Sequence, residues 1–127
     1  MTVGLSEYLA NKYLDAVGNA ASFSVATPYI KLHVADPGTA GTDNPAVETT
    51  RKSASFSAST GGILTSDADT TWTNIAGTET VFFFTTWDAA TAGNFLFSGV
   101  VDANAYTAGD TFTISSGSLV VNLTLAS

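Results

Sequence analysis

The 127-residue chain has no cysteine, a single histidine and few charges, and each shortage narrows what it can be. Without cysteine there are no disulfides, zinc ribbons, thiolate redox centres or cysteine nucleophiles, so stability has to come from packing. Charged residues make up 12%, where about a quarter is usual, so hydroxyl and amide side chains carry much of the solubility. The four cations, Lys12, Lys31, Arg51 and Lys52, all precede residue 53, and against eleven carboxylates they leave a formal charge of −7. From residue 53 onward there are six acids and no lysine or arginine. Such a surface repels a phosphate backbone and an anionic bilayer, which argues against a nucleic-acid or membrane partner. No run approaches the roughly 20 apolar residues of a spanning helix, and the first residues lack the basic-then-apolar layout of a signal peptide. The chain reads as one soluble domain over residues 1–127, large enough to bury about two thirds of its unfolded surface without staples.

What is present falls into one helical and several β patterns. Residues 5–17 place Leu5, Leu9, Tyr13, Ala16 and Val17 on one stripe, with Tyr8 beside it, at the spacing of an amphipathic helix. Ser6 is placed to cap its start, Glu7 sits at the positive end of the dipole, and Gly18 offers a left-handed stop. After that the pattern turns to period two, rich in threonine, valine and aromatics. Strands are predicted over residues 29–35, 51–58, 63–64, 72–75, 80–87, 94–101, 110–115 and 118–125. Turn residues fill 36–45, a long surface loop, and 88–93, a hairpin connection. These short, evenly spaced strands predict a mainly β fold: an antiparallel β-sandwich, immunoglobulin-like or jelly-roll-like, over about residues 28–126 with one N-terminal α-helix.

A search for chemistry returns little. His33 alternates with Lys31 and Tyr29 on a strand face and reads as a surface or interface residue, and no G-x-S-x-G elbow lifts any serine above its neighbours. The acids are spread singly over turns rather than paired for glycoside hydrolysis. Calcium is the one metal that the oxygen-rich composition suits, and Asp67-x-Asp69 begins like an EF-hand loop. That pattern fails at Trp72 and Thr78, where a glycine and a bidentate glutamate belong. Gly38, Gly41, Gly61 and Gly62 make no phosphate loop. The reading is of a protein with no enzyme activity, cofactor or metal.

Apolar residues are in surplus. Phe82, Phe83 and Phe84 in one strand must point to both sides of a sheet, so a second covering layer is required. Either the chain's own helix or another protein supplies it, and low charge suits a surface destined for burial.

Taken together, the motifs resemble a family of small tailed-bacteriophage virion proteins described as tail fibre or minor tail proteins and, in some phages, head decoration proteins. The resemblance rests on Leu5-x-x-Tyr8-Leu9-x-Asn11-x-x-Leu14-Asp15, on Tyr29-x-x-Leu32-His33-x-Ala35-Asp36-Pro37-Gly38-x-x-Gly41, and on the lone Arg51. It continues through Trp87-Asp88-Ala89-Ala90-x-x-Gly93-Asn94-x-Leu96-Phe97-x-Gly99, Ala108-Gly109-Asp110-Thr111 and Leu119-x-Val121-x-Leu123. Residues 48–59 depart from it, being richer in serine and poorer in aromatics. The resemblance implies a non-enzymatic structural part of a virion, assembled in the bacterial cytoplasm.

The absence of any elongated shaft favours a capsid decoration or cement protein that binds the major capsid protein, with a trimer as the expected oligomer. A tail fibre or minor tail protein, contacting tail or connector proteins or a host receptor, is the alternative. A calcium-dependent carbohydrate-binding module is the remote one. The candidate partner contacts are Leu5, Tyr8, Leu9 and Tyr13 on the helix, Asp36, Pro37, Asp43 and Pro45 in the loop expected to reach furthest from the core, and His33 and Phe83 on the strands.

Overall fold

The computed structural model describes residues 3–127. Ser6, in extended backbone, accepts the N–H of Leu9 on its hydroxyl at 3.0 Å and so caps α1, Glu7–Gly18. That bond satisfies one of the N–H groups that a helix start leaves unpaired. The helix begins two residues later than its apolar spacing predicts because Leu5 is used as a strand. Leu5 bridges to Phe97, the Ser6 N–H donates to the Leu96 carbonyl, and the Ser98 N–H donates to the Gly4 carbonyl. Gly18 closes the helix as its last residue, and it is Ala20, at φ 52°, that turns left-handed.

Eight strands follow: β1 Tyr29–His33, β2 Lys52–Ser53, β3 Ile63–Thr65, β4 Thr70–Trp72, β5 Glu79–Trp87, β6 Phe95–Tyr106, β7 Phe112–Ile114 and β8 Val120–Asn122. One antiparallel sheet has the order β2-β1-β5-β6, and two antiparallel ribbons, β3–β8 and β4–β7, supply the rest. Register sorts the sheet's side chains. Ile30 lies opposite Thr86, Leu32 opposite Phe84, Phe84 opposite Gly99 and Thr86 opposite Phe97, so these residues share the inner face. There they join Trp72, Ile75, Phe112, Ile114 and Leu119 in one buried cluster. Phe97 meets Phe84 and Phe56 edge-on, at centroid distances of 6.1 and 6.0 Å. Full burial of such a ring stabilises by up to about 3 kcal/mol. The chain is thus the expected antiparallel sandwich, with a second layer made of two ribbons rather than one continuous sheet.

Several strand limits differ from the sequence expectation for identifiable reasons. Only Lys52–Ser53 of the predicted strand at 51–58 joins the sheet, and the chain then leaves it to bring Phe56 against Phe97. The strand expected at 72–75 runs Thr70–Trp72 instead, since Asn74 takes a φ of 50° and ends the extended backbone. The strand expected at 94–101 continues as β6 to Tyr106 through exposed Asp102, Ala103, Asn104 and Ala105, which carry no large apolar side chain.

Part of the second cover of β5 comes from a third source, the chain's own 36–45 loop, while Phe82 stays 43% exposed. The helix buries none of its own residues fully; it lies beside β6, with Leu5, Tyr8 and Leu9 packed against the core cluster. The loop closes the outer face at its His33 end, where His33, Thr85 and Trp87 are buried, while Tyr29, Lys31 and Phe83 on the same face stay half-buried. Pro37 and Gly41 of that loop are buried. Gly41, at φ +70°, sits flat against the Phe95 ring, and a Cβ there would come within 2.7 Å of it.

Two core positions give opposite expected outcomes. Gly99 lies against the Phe84 ring, which an added Cβ would overlap, so Gly99→Ala is expected to cost about 1–3 kcal/mol by overpacking. The Thr86 hydroxyl is buried without a hydrogen-bond partner, so Thr86→Val is expected to stabilise by about 1 kcal/mol. Urea unfolding midpoints of the two variants should move to opposite sides of wild type; a destabilised Thr86→Val would contradict the assignment of that hydroxyl as unpaired.

Candidate interaction surface

The ten residues singled out from the sequence fall into two groups. Leu5 and Leu9, both half-buried, and Tyr13, 48% exposed, line one apolar cleft of about 220 Å³. Leu64, Phe97, Val121 and Leu123 form its other side, from β3, β6 and β8 and the residue after it. Tyr8, beside the cleft on α1, packs edge-on to Phe23 at 6.2 Å and lies under the Lys12 ammonium at 5.6 Å. The second group belongs to the outer face of the sheet. Asp36 accepts the Gly38 N–H and Asn44 donates to the Asp36 carbonyl, so the loop is folded on itself rather than extended outward. Asp43 and Pro45 are exposed, Phe83 is half-buried, and Pro37 is buried.

His33 differs most from expectation: its side chain is fully buried. Nδ1 lies 2.7 Å from the Asp43 carbonyl, an acceptor only, so this nitrogen carries the proton and donates. Nε2 lies 2.9 Å from the Thr85 hydroxyl, which also accepts the Trp87 Nε1–H at 2.8 Å. With the buried imidazole held neutral, Nε2 is an acceptor and Thr85 gives it its own proton. Burial pushes the imidazole's pKa below its ordinary 6.5; Lys31 acts in the same direction, and the Asp43 and Asn44 backbone and the Asp43 charge oppose it in part. His33 and Pro37 are thus structural, clamping the loop to the sheet, and present no side chain to a partner.

The cleft opens into a wider apolar surface that the sequence reading only half anticipated. Beyond Tyr13 on α1, Leu14 and Val17 are 61% and 74% exposed. On the ribbon side Leu123 and Leu125 are exposed as well, and Leu125 reaches back over Gly62 at the cleft wall. Only the first turn of the expected helical stripe is anchored; the rest of it projects. The signal for the ribbon half was the alternation Leu119, Val121, Leu123, Leu125, which begins in the core at Leu119 and ends at the surface. No charged residue lines the cleft. Elsewhere, Asp69 is engaged as acceptor for the Ser116 N–H, and among the described residues no group of three or more acids or histidines is placed to hold a metal ion.

Residues 4–122 match the family model described as "Podophage GP4 fiber I protein gp80". The chain belongs to this phage fibre protein family. The resemblance to virion proteins is thereby shown, and the fibre description fits the tail-fibre alternative better than the capsid-decoration reading favoured on the sequence. No individually curated protein matches the chain. In this gp80-family protein the sequence block Leu32-His33-x-Ala35-Asp36-Pro37-Gly38 has a structural meaning: it is the strand end, clamp and first turn of the loop that closes the outer face.

The clamp has a defined pH dependence. The unfolded imidazole takes up a proton at its ordinary pKa, whereas the folded one resists it, so this contribution to stability is complete above 6.5 and is lost as the pH falls below that value. Urea midpoints measured between about pH 7.5 and 5.5 should fall for the wild type and fall less for His33→Gln, before carboxylates titrate. Parallel curves for the two proteins would show that His33 is not the group responsible.

Proposed function

We propose that this chain is a non-enzymatic structural component of a phage fibre or tail assembly, joined to other virion proteins through the apolar surface formed by α1 and the β3–β8 ribbon. The observation that carries the reading is the continuity of that surface. The cleft lined by Leu9, Tyr13, Leu64, Val121 and Leu123 runs into exposed Val17, one turn beyond Tyr13, and Leu125, which packs at Gly62, without a charged side chain in its lining, on a chain of net charge −7. Exposed contiguous apolar patches of this kind mark interaction sites, and removing charge from the centre of a contact is what assembly interfaces require. The fibre family supports a place in the virion. Partners drawn from fibre, tail or connector proteins, or from further copies of the chain, would each meet an apolar groove flanked by one amphipathic helix. Capsid decoration is the weaker reading, since nothing in the family description points to the head.

The helix residues can be changed without harming the fold because they contribute little to it. Tyr13→Ser with Val17→Ser should leave circular dichroism native and lower retention of the protein on purified virions by at least about tenfold, given about 1–2 kcal/mol per buried apolar side chain. Immunogold labelling should place the wild-type protein at the tail, and gel densitometry should return a few to a few dozen copies. Labelling over the head with hundreds of copies would overturn the fibre reading, and full retention of the double variant would remove α1 from the contact.

A further inference from the structure

Two of the four cations of this acidic chain, Lys31 and Arg51, meet at the β1–β2 corner. The register that pairs Ile30 with Lys52 puts Arg51 opposite Lys31 at the next step, on the outer face. Like charges facing each other across a strand pair are destabilising. Here the repulsion is direct: burial first and then the Arg51 charge hold the Lys31 ammonium below its ordinary pKa. The fold has not relaxed the conflict by letting Arg51 swing away. The guanidinium lies 4.1 Å over the Trp87 ring, and Nη1 donates to the Ala89 and Ala92 carbonyls at 2.9 and 2.6 Å. Those bonds use Nη1 alone, leaving the Nη2 and Nε donors of the same rigid plane. Asp88, the carboxylate nearest to Arg51, is itself occupied by the backbone and side-chain amides of Asn94 at 2.7 and 2.9 Å.

Between Lys31 and Arg51 lies a cleft of about 400 Å³, walled by the hydroxyl-bearing Thr49, Thr50 and Thr91 and by the methyl groups of Ala90 and Ala92. No carboxylate lines it. We propose that this cleft binds the anionic substituent, carboxylate or phosphate, of a sugar in a host-surface glycan. Lys31 and the fixed Arg51 would hold the anion, with a planar fork suited to a two-oxygen group. The three threonines would bond ring hydroxyls, and the alanine methyls would meet the C–H face. The six acids beyond residue 53 repel a densely charged polymer, which favours a glycan bearing isolated acids. The inference deepens the fibre reading but takes from it only the source of the ligand; binding is measured on the purified protein, and its outcome is independent of where virions carry the chain.

The test titrates the intact protein with an oligosaccharide bearing a single uronic acid among neutral sugars, with a mannose 6-phosphate oligosaccharide, with neutral oligogalactose and with a short glutamate-rich peptide, following backbone amide shifts. Expected are shifts at Thr49, Thr50 and Thr91 with one or both acidic sugars and none with the neutral one; which acid binds identifies the substituent. Lys31→Gln removes the repulsion and so keeps the fold, yet should weaken acidic-sugar binding about tenfold. No shift with either acidic sugar at millimolar concentration, shifts located elsewhere, or equal affinity in Lys31→Gln would each overturn the site. Equal or tighter binding of the peptide would overturn the sugar assignment.

Discussion

A strand with bulky apolar side chains on both faces has to be covered twice, and β5 sets that requirement for the whole molecule. Phe84 and Thr86 face the two ribbons, while Phe83, Thr85 and Trp87 face the other way. The inner cover is conventional sandwich packing around Phe97. The outer cover is a glycine-containing loop too short and too polar to form a layer by hydrophobic burial alone. It is held by hydrogen bonds: from His33 to the Asp43 carbonyl, and from the Val34 and Ala46 N–H groups to the Asn44 and Leu32 carbonyls. A neutral imidazole bonded at both nitrogens is what allows polar backbone to lie over an aromatic face without leaving donors or acceptors unpaired.

Polar groups perform similar structural work in the segment that follows the loop. Glu48 is nearly buried, and its two oxygens accept the Ala76 and Thr50 N–H groups; burial alone would raise its pKa, but these bonds outweigh it and hold the carboxyl below the ordinary range. Glu79 accepts both the Tyr106 hydroxyl and the Val47 N–H. Burial, then the bond and charge of Glu79, push the Tyr106 pKa upward. A chain with few charges thus spends several of its carboxylates on pinning loops, and the remaining surface is correspondingly bland.

The sheet and its faces were legible in the sequence because Ile30, Leu32 and the 80–87 run announce their orientation by period-two spacing. The helix and its Ser6 cap were equally plain. What spacing could not convey was how far each element travels from the core. His33 looks like a half-exposed residue until a loop three residues away in sequence folds over it, and Leu5 looks helical until the edge of β6 claims it. The apolar surface was readable only on its helical half, since the ribbon half is distinguished from core strand solely by where the sandwich ends. The cation pair at Lys31 and Arg51 depends on a register of two residues that no local pattern announces.

Residues 4–6 occupy the open side of β6, and the opposite border of the sheet is a two-residue strand that begins with a lysine. The first residues of β6 and the short β2 edge are therefore poor templates for a further strand from outside. At these two margins a neighbouring copy is met by side chains rather than by an extension of the backbone ladder.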